Sequence, residues 1–152
     1  VEEMASMKRP QLKAVKALAG QRLDLTFIDG RRYRVDLSDD VKRLPGLRPL
    51  RSAAAFVACT LADAGWSVEW PALDIQIGAD TLWLDAVAQN SKDAGQRAVL
   101  QWRSRYGLSL AAASEALGLT PRTISAYGTG SRAVPKTVLL AIKGWEAGQR
   151  AA

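Results

Sequence analysis

The sequence contains no histidine. That absence removes the usual general base, the Ser–His and Cys–His nucleophile pairs and most zinc sites. It contains one cysteine, Cys59, so an intrachain disulfide is excluded. The apolar run AAAFVACTLADA around Cys59 reads it as a small buried core residue. No uninterrupted stretch of about 18 apolar residues occurs, which predicts no membrane span. The opening VEEMASMKRPQLKAVKALAG is too charged and interrupted for a signal peptide. No segment has the alternating Asp/Asn spacing and closing Glu of a calcium loop. These gaps predict a soluble, cytoplasmic protein with no metal site and no cofactor, and they weigh against an enzyme.

What is present is a charge split. The 152 residues are 48% hydrophobic, enough to bury a core, and the length allows one ordinary domain or two small ones. Residues 1–90 carry twelve Lys and Arg against twelve Asp and Glu, and are neutral. Residues 91–152 carry nine against three, and hold the whole net charge of +6. A neutral half joined to a basic half predicts two domains with different tasks, the basic one suited to phosphates.

In the neutral half, Leu23–Phe27 and Tyr33–Leu37 alternate apolar and polar residues around Asp29-Gly30, which predicts a hairpin. Parity selects the loop. A two-residue loop sets Leu25 against Arg34 and mixes the faces. The three-residue loop Ile28-Asp29-Gly30 sets Leu25 against Tyr33, Leu23 against Val35, Asp24 against Arg34 and Arg22 against Asp36. Both faces then match, Gly30 takes the left-handed position of a bulged turn, and the arginines form a charge-paired solvent face. Ser38 is expected to cap a short helix over 39–44, and Pro45-Gly46 to end it. A second helix is expected over 52–64, stopping at Gly65. Ser67–Trp70 reads as a strand, and the segment to Trp83 as turn-rich. Asp74 and Asp80 sit at turn positions, so with Asp85 they read as structural carboxylates and not as a catalytic cluster.

The hairpin, helix and following run WSVEWPALDIQIGADTLW resemble the family of small bacterial domains called Domain of Unknown Function 2442. Trp70, Pro71, Asp74, Ile75, Asp80, Leu82 and Trp83 match its ending, with Ala72-Leu73 in place of a glycine. The resemblance implies a small α+β domain over residues 11–88, of a kind found beside toxin–antitoxin-like partners. It implies no activity.

In the basic half, Ala88-Gln89-Asn90-Ser91 reads as a polar linker ending on a helix cap. A first helix is expected over 92–106, with Val99, Trp102 and Tyr106 on one face and Gly107 as its stop. Ser109 caps a second helix over 110–117, Gly118 makes the turn, and Thr120 caps a third, Pro121 to Tyr127, with Pro121 at the position where its missing N–H costs nothing. Gly128 and Gly130 end it. Pro135 opens a fourth helix that turns Val138, Leu139, Ile142 and Trp145 inward.

The run GLSLAAASEALGLTPRTISAYGTGSRAVP resembles the lambda-repressor-like helix-turn-helix family. Leu108, Ser109, Leu117, Gly118, Leu119, Thr120, Thr123, Ile124, Ser125, Tyr127, Gly130, Arg132 and Pro135 fall on its pattern. Leu110 stands where the family often has a phosphate-bracing Gln, Ala113 where it has Leu, and Gly128 where it has Glu. The resemblance implies an all-α domain over 91–148 that binds double-stranded DNA as a homodimer. The third helix would enter the major groove, its N-terminus facing a phosphate. The candidate site on and after that helix is Thr120, Pro121, Arg122, Thr123, Ser125 and Ala126, with Arg132 and Lys136 beside the sugar–phosphate backbone; the alternative for Ser125 is a hydrogen bond back into its own helix. Arg122 is the residue able to fork onto a guanine edge.

The expectation is therefore a bacterial α+β protein, an α+β domain followed by a helix-turn-helix, acting as a transcriptional regulator or antitoxin-like autorepressor. Its first domain would dimerise or bind a protein partner. A second reading stays open, in which the helix-turn-helix no longer binds DNA and serves as a protein-interaction adaptor or antitoxin.

Overall fold

The structure is a computed structural model that describes residues 10–151. Residues 1–9, part of the stretch read against a signal peptide, lie outside the described residues. The chain divides into two compact units between Gln89 and Asn90. It is mixed α+β, with two three-stranded sheets followed by several helices.

The first sheet is antiparallel in the order β1 (Leu12–Leu18), β2 (Arg22–Phe27), β3 (Arg32–Asp36). The β2–β3 register follows the parity argument, pairing Arg22 with Asp36, Leu23 with Val35, Asp24 with Arg34 and Leu25 with Tyr33. The Gly30 N–H donates to the Phe27 carbonyl at 2.9 Å, and Gly30 has φ of +88°. Arg34 Nε meets Asp24 Oδ1 at 3.0 Å. Arg22 instead turns its Nε to the Ala19 carbonyl, 2.9 Å away. Strand β1 was not anticipated, because Leu12–Leu18 alternates poorly. Leu12 pairs with Phe27, then the register shifts before Ala14 pairs with Thr26.

Between the sheets come α1 (Ser38–Arg43), a 3-10 turn over Pro45–Arg51, and α2 (Ala53–Phe56). Ser38 does not cap α1. It is the first helical residue, and its N–H is taken by Asp36 Oδ1 at 2.8 Å. Ser52 does cap α2, accepting the Ala55 N–H at 3.3 Å, but the helix ends after Phe56 rather than at Ala64. Thr60–Ala62 is instead β4. It pairs with β5 (Ser67–Trp70), which pairs with β6 (Ile75–Gly78). Helix propensity is a weak prior, and the open edge of β5 outweighs it here. The expected turn-rich segment holds β6 and the start of α3 (Ala79–Asn90), which also runs through most of the expected linker.

Leu23, Leu25, Phe27 and Val35 from the first sheet share one core with Val68, Trp70 and Ile75 from the second and with Leu50, Phe56, Leu82 and Ala86. Cys59 is half-buried at its edge, where desolvation raises its thiol pKa.

The turn entering β5 is strained. Asp63, Ala64 and Gly65 have φ of +52°, +56° and +93° in succession. Asp63 Oδ2 accepts from Gln76 Nε2 at 2.6 Å and from Ser67 Oγ at 3.1 Å, which fastens the turn to β5 and β6. On its other side, Gln11 Nε2 donates to the Ala64 carbonyl at 2.6 Å.

The described residues of the second unit beyond α3 form α4 (Ala94–Tyr106), α5 (Leu110–Leu117), α6 (Pro121–Thr129) and α7 (Lys136–Ala151). Their core holds Val99, Trp102, Ala113, Ile124, Tyr127, Val138 and Ile142, with Leu117, Leu119 and Trp145 packed against it. Trp145 stands edge-on to both Trp102 and Tyr106, at 5.5 and 4.9 Å between ring centroids. No helix among the described residues is long and apolar enough to cross a membrane.

Candidate nucleic-acid interface

Three local devices set the α5–α6 corner. Ser109 Oγ accepts the Ala112 N–H at 3.0 Å and starts α5 where expected. Gly118, at φ of +68°, ends it in the left-handed conformation that spares glycine a Cβ penalty. Thr120 Oγ1 accepts the Thr123 N–H at 3.2 Å and starts α6. Leu119 and Ile124 then pack into the core and hold the two helices together.

The first turn of α6 has one donor to spare. Pro121 has no N–H, Thr123 is capped, and the Ile124 N–H meets the Thr120 carbonyl at 3.2 Å. The Arg122 N–H remains, at the positive end of the helix dipole. Thr120, Pro121 and Arg122 are exposed, whereas Thr123, Ser125 and Ala126 are half-buried. Arg132 and Lys136 are exposed in the following loop and at the first position of α7. Among the described residues, Arg122, Arg132 and Lys136 enter no ion pair. The second unit holds the whole charge excess, so these cations lie in a net field of their own sign.

Two expectations need correction. Helix α4 is capped by Asp93, whose Oδ1 accepts the Gly95 N–H at 2.9 Å, and not by Ser91. Helix α6 passes Tyr127 and ends at Thr129, with Gly128 inside it and Gly130 as the left-handed cap. Gly128 is buried, and a Cβ there would lie 3.2 Å from Leu100 Cδ2. A glycine at this point therefore lets α6 pack closely on α4. The other two departures from the family pattern also turn inward: Ala113 is fully buried, and Leu110 lies against the core.

Sequence reasoning missed the groups that hold the end of α6. Arg132 N–H and Ser131 Oγ donate to the Ala126 carbonyl at 3.2 and 3.3 Å, and Gln96 Nε2 donates to the Gly128 carbonyl at 2.9 Å. The available signal was Asp93-x-x-Gln96, the spacing of a capping box. Here the Gln side chain reaches across to another helix.

No curated protein matches the chain. A solved structure from Nitrosomonas europaea, described as a "putative DNA binding protein", is 36% identical over 91% of this chain and 87% of its own, with a TM-score of 0.55. A protein of unknown function from Rhodospirillum rubrum aligns with 48% of this chain and 83% of its own at 16% identity and a TM-score of 0.40. The family described as protein of unknown function (DUF2442) matches residues 12–88. On that match, which spans half of the chain, the chain belongs to the DUF2442 family.

Proposed function

We propose that the C-terminal unit is a lambda-repressor-like helix-turn-helix that binds duplex DNA sequence-specifically, and that the protein is a transcriptional regulator or autorepressor. It acts by binding and not by catalysis. The observation that carries the reading is the α5–Gly118–α6 corner on the basic unit. A capped helix there opens on an exposed arginine, with two further unpaired cations after it. The Nitrosomonas protein's description supports the same reading. In this arrangement α6 enters the major groove, Arg122 reads a base edge, and Arg132 and Lys136 neutralise phosphates. A homodimer would present two such helices to paired half-sites, and the N-terminal unit would supply dimer or partner contacts.

The adaptor reading keeps one observation in its favour. Leu110, at the first position of α5, packs inward and cannot brace a phosphate. A gel shift with sheared genomic DNA at two salt concentrations separates the two. A DNA-binding protein retains some fragments over others and loses affinity steeply as salt rises. Absence of any retarded band at low salt supports the adaptor.

A further inference from the structure

The far end of α6 is held by hydrogen bonds from the following loop and from another helix. The last carbonyls of a helix have no partner within it. In α6 the Ala126 and Tyr127 carbonyls are met locally, by the N–H groups of Arg132 at 3.2 Å and Gly130 at 3.3 Å. The Gly128 carbonyl is met from another helix, by Gln96 of α4. Gln96 is itself held. Ser91 Oγ lies 2.6 Å from its Oε1, and the same Oγ accepts the Asp93 N–H at 3.1 Å. Arg97 fastens the Ser91 carbonyl at 2.9 Å. A carbonyl only accepts, and the Ser91 hydroxyl takes up Oε1, so the Gln96 amide has one orientation. Ser91 follows directly on Asn90, the last residue of α3. Ser91, the second residue of the second unit, thus carries the hydroxyl that fixes Gln96.

We propose that Gln96 is the positioning residue of α6 and couples the junction at Ser91 to the affinity of the reading helix for DNA. The proposal rests on the reading of α6 given above. Gln96 touches no nucleic acid in this scheme. It acts by holding the end of α6 against α4, where Gly128 has left room for close approach. Once the hydrogen bond is lost, α6 is free to tilt about the packed Ile124, and Arg122 loses its fixed reach. A change in the chain at Ser91 would act on α6 by the same route.

The test uses the full chain with Gln96→Met, Gln96→Glu and Ser91→Ala. Met keeps the length without the hydrogen bond. Glu is nearly isosteric but turns a second acceptor toward the Gly128 carbonyl. Two quantities are read: backbone amide shifts over residues 120–130 in the free protein, and affinity for a DNA fragment selected by the wild type. The expected affinity order is Gln, then Met, then Glu, with about tenfold lost at Met. Shifts along α6 should move in both variants, and Ser91→Ala should change both readouts in the same direction by less. A role in packing alone would leave Glu close to Gln. Wild-type shifts and affinity in folded Gln96→Glu overturn the coupling while DNA binding stands. If Gln96→Glu does not fold, wild-type behaviour of both Gln96→Met and Ser91→Ala overturns it. A wild type that retards no fragment overturns the DNA reading, and the coupling with it.

Discussion

Trp70 Nε1 donates to the carbonyl of Phe56 at 2.7 Å in the core of the N-terminal unit, and the two rings lie 5.7 Å apart. That bond takes up a carbonyl of the last helical residue of α2 and ties it to β5. Trp70→Phe keeps most of the apolar surface but strands the Phe56 carbonyl in a dry site. A buried polar group left unsatisfied costs about 1–3 kcal/mol. Urea unfolding should show a loss of at least that size, and a variant as stable as the wild type would contradict the role given to this bond.

Gly65 and Gly30 both have positive φ, and they should respond differently. A Cβ on Gly30 would meet nothing within 4 Å, so Gly30→Ala costs only the left-handed conformation, about 1–2 kcal/mol. A Cβ on Gly65 would collide with the Leu12 carbonyl oxygen, which belongs to the backbone of β1. Gly65→Ala should therefore lower the melting temperature much further than Gly30→Ala. Equal effects would mean that the turn over residues 63–65 does not abut β1 in solution.

Asp36 has a depressed pKa. The hydrogen bond with the Ser38 side chain is the largest cause; burial opposes it, and the Ser38 backbone N–H and the charges of Arg22 and Lys42 add to it. A depressed carboxylate stabilises the fold above its unfolded pKa, and that stability is lost as pH falls through the folded value. Asp36→Asn should therefore be less stable than wild type at neutral pH. The gap should close below the usual carboxylate range. Melting curves taken from pH 7 down to pH 2 check this, and a gap constant across that range would refute the assignment.

Arg122 and Lys136 separate base reading from charge. Arg122→Ala should cost roughly 1–3 kcal/mol on a specific site and relax the preference at one base pair. Lys136→Ala should weaken all fragments alike and lower the salt slope by about one. Titrations of both variants against specific and random fragments decide it. If wild type and Arg122→Ala bind every fragment equally, sequence-specific recognition through Arg122 is wrong.

Much of this architecture was legible because its causes are local. The hairpin register followed from the alternation of Leu23, Leu25, Tyr33 and Val35, since a slip of one residue would turn every side chain to the wrong face. Helix α5 begins and ends where Ser109 and Gly118 predict, and α6 begins at its Thr120 cap, because a cap acts within one helical turn. Arg122, Arg132 and Lys136 are exposed, as the cost of burying an unpaired charge dictates.

Tertiary structure decided the remainder. Ala53–Ala62 is sound helical sequence by composition, yet Thr60–Ala62 became a strand because Val68 and Glu69 offered unpaired backbone beside it. Leu12–Leu18 lacks a clean alternation and was recruited as β1 by the free edge of β2. Gly128 reads as a helix breaker in isolation. Inside α6 it is the point where Leu100 of α4 comes close, and its carbonyl is held by Gln96. The free energy of burying a face or satisfying a distant carbonyl outweighs propensities of a few tenths of a kcal/mol to about 1 kcal/mol per residue. Alternation, glycine turns and caps were therefore written in the sequence, whereas edge pairing and the bracing of α6 arose only when segments far apart in the chain met.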